Sequence, residues 1–307
     1  MAFLYALPGA VAEGLIWGLM AIGVYISYKI LDIADLTVDG SICTGACVCA
    51  VLLGLGVPVW ICVPAALLTG ALAGTVTGLL HTLLGIPSIL AGILTQLMLY
   101  SVNLVILGGK SLMAVDHRAN VLMVHMSNNP MAIVAMIAMV AVTIIVLWQF
   151  FYTEVGLTLK STGDNPDMSR AQGVDVNRNK VIGLAIANGI VAMAGAMLAQ
   201  YKGSANINDG RGAIVIALAA IFIGLSVSLK IKPIFVVSLI GVVSGGVVYY
   251  IVYNFVILLG LKTDYLKMLS AVIVALFLGV PYMKAEYFTK QKMPQPNAKQ
   301  SGGKADA

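Results

Sequence analysis

Apolar residues run through this chain in stretches of membrane length, near 4–28, 41–57, 59–84, 88–108, 130–151, 181–201, 212–229, 233–259 and 265–283. About 20 residues at helical rise cross a bilayer core, so the pattern predicts about eight to ten transmembrane helices. The second and seventh runs are short, which predicts short or broken helices there. Polar segments punctuate the runs, and the longest internal one extends from Tyr152 to Lys180, YTEVGLTLKSTGDNPDMSRAQGVDVNRNK. Within it, Asp164 or Asn165 can accept hydrogen bonds from the first free N–H groups of a helix, Pro166 suits the first helical position, and Gly173 supplies a stop. The reading is a helix of about two turns over Pro166 to Gln172, flanked by flexible residues and too short to persist in water unless docked.

Composition gives the same class: 60% of residues are apolar and 10% are charged, with mean hydropathy +0.97. The expected fold is an all-α polytopic membrane protein. Residues 1–283 form the transmembrane domain and 284–307 a disordered basic tail, polar and rich in Gly, Pro and Lys. The first run lacks the features of a cleavable leader and is expected to be a true span. Placing the tail lysines in the cytoplasm puts Lys230, Lys232 and the whole 152–180 segment there too, and leaves a roughly two-to-one excess of Lys and Arg on that side. The net charge of +5 therefore sets topology, and no nucleic acid partner is expected. The outer loop, 109–129, with Asp116, His117, Arg118 and His125, is the largest extracellular segment for a partner or for solvent.

The 32 glycines suit helices packed closely in lipid. Gly70, Gly74 and Gly78 recur every four residues, as do Gly14 with Gly18 and Gly241 with Gly245, each making a stripe for a neighbouring helix. Leu31 to Ser41, LDIADLTVDGS, sets Asp32, Asp35 and Asp39 at spacings that would align them on one helical face. Either this is a loop in which Asp39 caps a helix beginning at Ser41, or it is a break inside the membrane that marks a pathway. Gly203 to Gly212, GSANINDGRG, couples a second Asp-Gly pair to a small-residue helix, and the two segments together fit an inverted repeat with a site between broken helices. Asp35, Thr37, Asp39, Ser41, Gln96, Asn103 and Asn188 are the candidate path-lining residues. Gln96, Asn103 and Asn188 fit interhelical bonds equally well, and His81 reads as an interface residue.

Cys43, Cys47, Cys49 and Cys62 lie in or beside apolar runs without metal-knuckle spacing and read as small buried thiols. Gly108-Gly109-Lys110-Ser111 looks like the end of a phosphate loop, but Leu104 stands where its first glycine should be, so no ATP site is expected. No metal signature, nucleophile-base set or cofactor fingerprint is present, and intrinsic catalysis is not expected.

GDNPDMSRAQGVDVNRNKVIGLAIANGIVAMAGAMLAQ, from Gly163 to Gln200, resembles the permeases of branched-chain amino acid, ribose and nucleoside ATP-binding cassette (ABC) importers. Gly163, Asn165, Gly173 and Gly195 match the family pattern, Ser169 or Ala171 stands near its alanine pair, and Val174 replaces an isoleucine. LDIADLTVDGSICTGA resembles the family's early motif, in a form similar to the single-permease branch tied to tryptophan and tyrosine uptake. Ile223-Gly224-Leu225-Ser226 is similar to a further family turn, lacking one glycine. The resemblance implies a type II-like importer permease in a bacterial inner membrane. It further implies a second permease copy forming a homodimer, cytoplasmic ATPase subunits that carry ATP and Mg, and an extracytoplasmic binding lipoprotein. On it, Pro166 to Gln172 is the coupling helix, Asp167 and Arg170 are its charged contacts to the ATPase, and Asn165 and Gly173 set its ends. An aromatic amino acid is the favoured cargo. A nucleoside or sugar, and an ion-coupled transporter using Asp32, Asp35 and Asp39, are the alternatives.

Overall fold

The computed structural model describes residues 2–115, 129–228 and 235–258, with positions 268, 271, 272, 275 and 279. The ninth apolar run, the outer loop, Lys230, Lys232 and the tail lie wholly or largely outside the described residues. In chain order the helices are α1 (Ala2–Tyr25), α2 (Val38–Gly54), α3 (Val59–Thr82), α4 (Ser88–Ile106), α5 (Asn129–Phe151), α6 (Glu154–Asp164), α7 (Pro166–Ala171), α8 (Val176–Lys202), α9 (Ala213–Ser228) and α10 (Phe235–Leu258). Strands β1 (Leu112–Ala114) and β2 (Ser204–Asn206) pair antiparallel, with Met113 opposite Ala205. This ribbon ties the segment after α4 to the segment after α8 and marks one end of the bundle. The adjacent Gly108 and Gly109 take φ of +65° and +81° in the turn before β1.

Among the described residues, six helices are long and apolar enough to cross a membrane, and Val38–Gly54 and Ala213–Ser226 are shorter apolar helices. The chain is a multi-pass, all-α membrane protein. The two short helices correspond to the two short apolar runs, and non-helical backbone makes up their missing length. α1 ends in a π-helical turn, Ile26–Ile30, closed by Leu31 N–H donating to the Ile26 carbonyl at 3.0 Å. Asp32 then takes φ of +55°, a conformation Asp tolerates better than most side chains. Leu31 packs against Gly183 and the Asp35 carboxylate reaches Asn188. Residues 31–35 therefore run along α8 towards its middle, and α2 starts there.

Asp32, Asp35 and Asp39 accordingly do not share a helical face: Asp32 is exposed, Asp35 is buried, and only Asp39 lies in a helix. Nor does Asp39 cap a helix at Ser41. α2 begins three residues earlier, at Val38. Backbone polar groups at this depth are tolerated because protein surrounds them.

α8 is the central post. α3 runs antiparallel to it, with Gly70, Gly74 and Gly78 facing Asn188, Leu184 and Val181 in turn. α2 runs parallel to it, with Ser41 bonded to Asn188 at its start and Cys49 to Gln200 further along, and the two cross closely where Gly45 meets Ala192 and Gly195 meets Ile42. α1 and α10 cross in opposite directions through Gly14 on Val247 and Gly18 on Val243, and α9 packs on α10 through Gly224 on Gly241 and Ala220 on Gly245. In each pair a backbone sits where a larger residue would place its Cβ, which permits the close approach that drives helix association in lipid. α9 runs back towards the end opposite the ribbon, where Phe222 makes an edge contact with Tyr28, ring centroids 6.1 Å apart. α2 and α9 therefore begin near one level and run in opposite directions.

At the end opposite the ribbon lie α6 and α7. α6 was not expected, since its residues read as flexible. Thr153 caps it by accepting from Gly156 N–H at 3.3 Å, and its apolar side buries Leu159 against the bundle. Tertiary packing stabilises a segment whose exposed face is polar.

Candidate functional site

The sequence-derived polar residues divide into two groups. Asn188 sits 12 residues into α8, about 18 Å from its start at helical rise. Its Nδ2 donates to the Asp35 carboxylate at 2.6 Å, and its Oδ1 accepts from Ser41 Oγ at 2.7 Å. The second Asp35 oxygen accepts from Thr37 N–H at 2.9 Å. Thr37 Oγ1 lies 2.7 Å from Thr77 Oγ1, which donates to Thr95 Oγ1 at 2.9 Å. All six side chains are buried. Asp35, Thr37, Ser41 and Asn188 are thus members of a closed network that pins the start of α2 to α3, α4 and α8. A network satisfied in this way fixes geometry, because any member left alone at this depth carries a large desolvation cost.

The second group surrounds open space. Asp39, Gln96 and Asn103 border a cleft of about 400 Å³ together with Cys43, Tyr100 and Arg211. Asp39 lies in the first turn of α2, and its two carboxylate oxygens accept from Gly212 N–H and Ile214 N–H, each at 2.9 Å. One carboxylate therefore caps α9 while standing at the start of α2, so the positive ends of two helix dipoles converge on it. Cys43 fastens the adjoining turn by donating to the Ile207 carbonyl at 3.3 Å and accepting from Gly210 N–H at 3.0 Å. Arg211 lies over the Tyr100 ring, 6.0 Å from its centroid. Tyr100 and Arg211 were not singled out from sequence; the usable signal was the Arg-Gly step just ahead of α9, in the second interrupted segment. All four cysteines are buried.

The 152–180 segment makes a second feature. Asn165 accepts from Met168 N–H at 3.0 Å as the cap of α7, Pro166 follows, and Gly173 turns the chain at φ +81°. α7 ends at Ala171, with Gln172 as its C-cap rather than its last helical residue. Ser169 is buried and bonds back to the Asn165 carbonyl at 2.9 Å and to Ser161 Oγ at 3.3 Å. Asn179 Nδ2 donates to Thr162 Oγ1 at 3.0 Å, tying α6 to α8, while Gly163 abuts the Ile30 carbonyl at the end of α1. The outward face of α7 presents Met168, 61% exposed, beside an ion pair between Arg170 Nη1 and Asp167 Oδ1 at 3.2 Å. Nearby, His81 Nδ1 is 2.8 Å from the Ile86 carbonyl and His81 Nε2 is 3.2 Å from Lys180 Nζ. His81 thus joins the end of α3 to α8.

Two short helices thus start at mid-depth beside a polar cleft, with a docked helix at one end of the bundle. Residues 9–280 match the family described as the permease component of the branched-chain amino acid transport system. The chain belongs to this permease family. It is 35% identical over 268 residues to the tyrosine transport system permease protein of Clostridioides difficile (strain R20291), spanning 87% of this chain and 88% of that one. It is 24% identical over 244 residues to the ribose import permease protein RbsC of Escherichia coli (strain K12), spanning 79% and 75% of the two chains. The autoinducer 2 import system permease protein LsrC of Yersinia pseudotuberculosis is 29% identical over 161 residues, 52% of this chain and 45% of that one. No solved structure matches the chain. Members of the family are the membrane components of ABC-type transport systems, so the chemistry of this permease is passage, not catalysis.

Proposed function

We propose that this permease imports an amino acid, with tyrosine or another aromatic one favoured, across a bacterial inner membrane. It works as a homodimer with two cytoplasmic ATPase subunits, which bind ATP and Mg, and with an extracytoplasmic binding lipoprotein. The observation that carries the reading is the direct mechanical link between α7 and the broken second span. α6 and α7 lean through Gly163 on Ile30, the residue from which the chain turns into the extended stretch leading to Asp35. Force applied to α7 by a closing ATPase dimer is passed to α1, to α8 and to the start of α2, and biases the cleft around Asp39 between access to one side and to the other. The exposed Asp167, Met168 and Arg170 are the surface offered to the ATPase. The identity with the tyrosine permease supports an amino acid as cargo, and the identity with the ribose permease makes a sugar the second reading.

The scattered positions of Asp32, Asp35 and Asp39 weigh against an ion-coupled transporter, which would need them in one connected path. The test is uptake into proteoliposomes holding the permease with its ATPase and binding protein. ATP-dependent accumulation of labelled L-tyrosine is expected, with no response to a proton or sodium gradient. The double variant Asp167→Ala/Arg170→Ala is expected to lower uptake at least about tenfold and to weaken ATPase co-purification, since charge-assisted contacts are worth about 1.5–3 kcal/mol each. Undiminished complex and uptake in that variant would remove the coupling assignment, and ribose uptake in place of tyrosine would move the cargo to the second reading.

A further inference from the structure

The cleft beside Asp39 holds opposite charges and an amide oxygen without a partner among the described residues in one place. Asp39 spends one lone pair of each carboxylate oxygen on the α9 backbone, which leaves each oxygen able to accept another bond. Arg211 has no carboxylate within ion-pair distance among the described residues, where the ion pairs are Arg170–Asp167 and Lys202–Asp209. Its guanidinium, with five donors, lies over the Tyr100 ring without an anionic partner among the described residues. On α4, Asn103 is 1% exposed and borders the cleft, and its Oδ1 has no hydrogen-bond partner among the described residues. A buried amide oxygen in that condition costs free energy until something donates to it. Leu97 adds an apolar wall, and about 400 Å³ falls in the range that holds small ligands.

We infer that this cleft is a binding site for a free α-amino acid, with the ammonium on Asp39, the carboxylate on Arg211 and a polar hydrogen on Asn103. The inference rests on the amino-acid reading above and adds that the permease itself recognises the backbone of its cargo after the binding protein has released it. A zwitterion is the ligand class that answers both charges at once. A neutral sugar would leave the half-buried Asp39 carboxylate without a cationic partner and would not answer the exposed Arg211, which a polar site penalises. Tyr100 and Leu97 border the space left for a large side chain.

The experiment uses the full-length permease in lipid nanodiscs without the binding protein. Binding is measured for L-tyrosine, for tyramine, which lacks the carboxylate, and for 3-(4-hydroxyphenyl)propionate, which lacks the ammonium. Arg211→Gln is expected to weaken L-tyrosine about 10- to 100-fold and to leave tyramine unchanged, the loss of one charge-assisted contact. Asp39→Asn is expected to do the same to L-tyrosine and to spare the propionate. Because Asp39 also caps α9, Arg211→Gln decides the matter if the Asp39 variant fails to fold. Equal loss of L-tyrosine and tyramine in Arg211→Gln overturns the assignment. Absence of L-tyrosine binding to the wild-type permease, while the complete system still accumulates tyrosine, overturns the site and leaves the importer intact. Absence of tyrosine uptake by the complete system removes both.

Discussion

Gly74→Leu is expected to abolish recovery of folded permease. A Cβ at this position would fall on the Leu184 carbonyl of α8, with the Ala185 Cα 3.0 Å away, and both obstacles are backbone. A flexible side chain could swing aside, but a helix backbone in a close-packed interior cannot move without repacking its other neighbours. α8 also carries α2 and α1, so a shift at Gly74 spreads to Gly45 and Gly195 on its other faces. Overpacking costs about 1–3 kcal/mol at an adaptable site and more at a rigid one. The net stability of a domain is only about 5–15 kcal/mol. Size-exclusion chromatography in mild detergent should therefore find Gly74→Leu aggregated or absent where the wild type is monodisperse. Gly85→Ala is the control, since it lies in a turn with open space around its Cβ position and is expected to survive with the modest strain of its φ of +67°. A monodisperse Gly74→Leu protein with normal thermal stability would show that α3 and α8 are not in the contact described.

Asn188→Leu is expected to cost about 3 kcal/mol and to stop uptake. Leucine has the branching and the number of side-chain heavy atoms of asparagine, so the change removes hydrogen bonds without opening a cavity. The Asp35 carboxylate loses its 2.6 Å donor and Ser41 loses its acceptor, both at mid-depth where water is excluded. Leaving a buried, hydrogen-bonded carboxylate short of a partner costs about 1–3 kcal/mol, and more when it is charged. The start of α2 is held by this network, so its release also disorders the position of Asp39. A thermal melt of the purified protein and tyrosine uptake by the complete system check both effects. Asp35→Asn combined with Asn188→Asp keeps the amide–carboxylate pair and the acceptor for Ser41 in exchanged positions, gives up the 3.1 Å bond from residue 188 to the Leu184 carbonyl, and is expected to restore part of the stability. Failure of Asn188→Leu to lower the melting temperature would show that the network is not structural.

The elements legible in the sequence were those governed by local rules. The positions of the eight apolar runs that fall among the described residues followed from hydropathy alone. The short lengths of the second and seventh runs already pointed to α2 and α9. The cap at Asn165, Pro166 behind it and the turn at Gly173 were readable because capping is settled by residues a few positions apart. α6 was missed for the complementary reason: EVGLTLKSTGD has little helical signature of its own, and its order comes from contacts with α5, α8 and the end of α1.

The site was legible by residue type and not by role. Polar residues in apolar runs stand out in any sequence, which is what singles out Asp35, Ser41, Asn188, Asp39, Gln96 and Asn103. Sequence alone could not separate those that bond to one another from those that face a cleft, because that depends on which helix lies opposite. The acidic spacing from Asp32 to Asp39 suggested a shared face only if the segment were helical throughout. The π-turn at Ile26–Ile30 and the left-handed Asp32 removed that premise.

By itself, then, the sequence determined a polytopic helical membrane protein, the places where its spans are interrupted, and a short capped helix between the fifth and sixth runs. Solvent transfer and local hydrogen bonding act over one or two turns, and both are written in consecutive residues. Only the tertiary structure decided that the two interruptions meet, that Asp39 caps a helix 174 positions beyond it, that Asp35 is sealed by Asn188, and that Arg211 borders the same cleft as Asn103 with no ion-pair partner among the described residues. Those facts arise from glycine-mediated contact between helices distant in the chain, and the energy of such contact depends on which backbones are brought together.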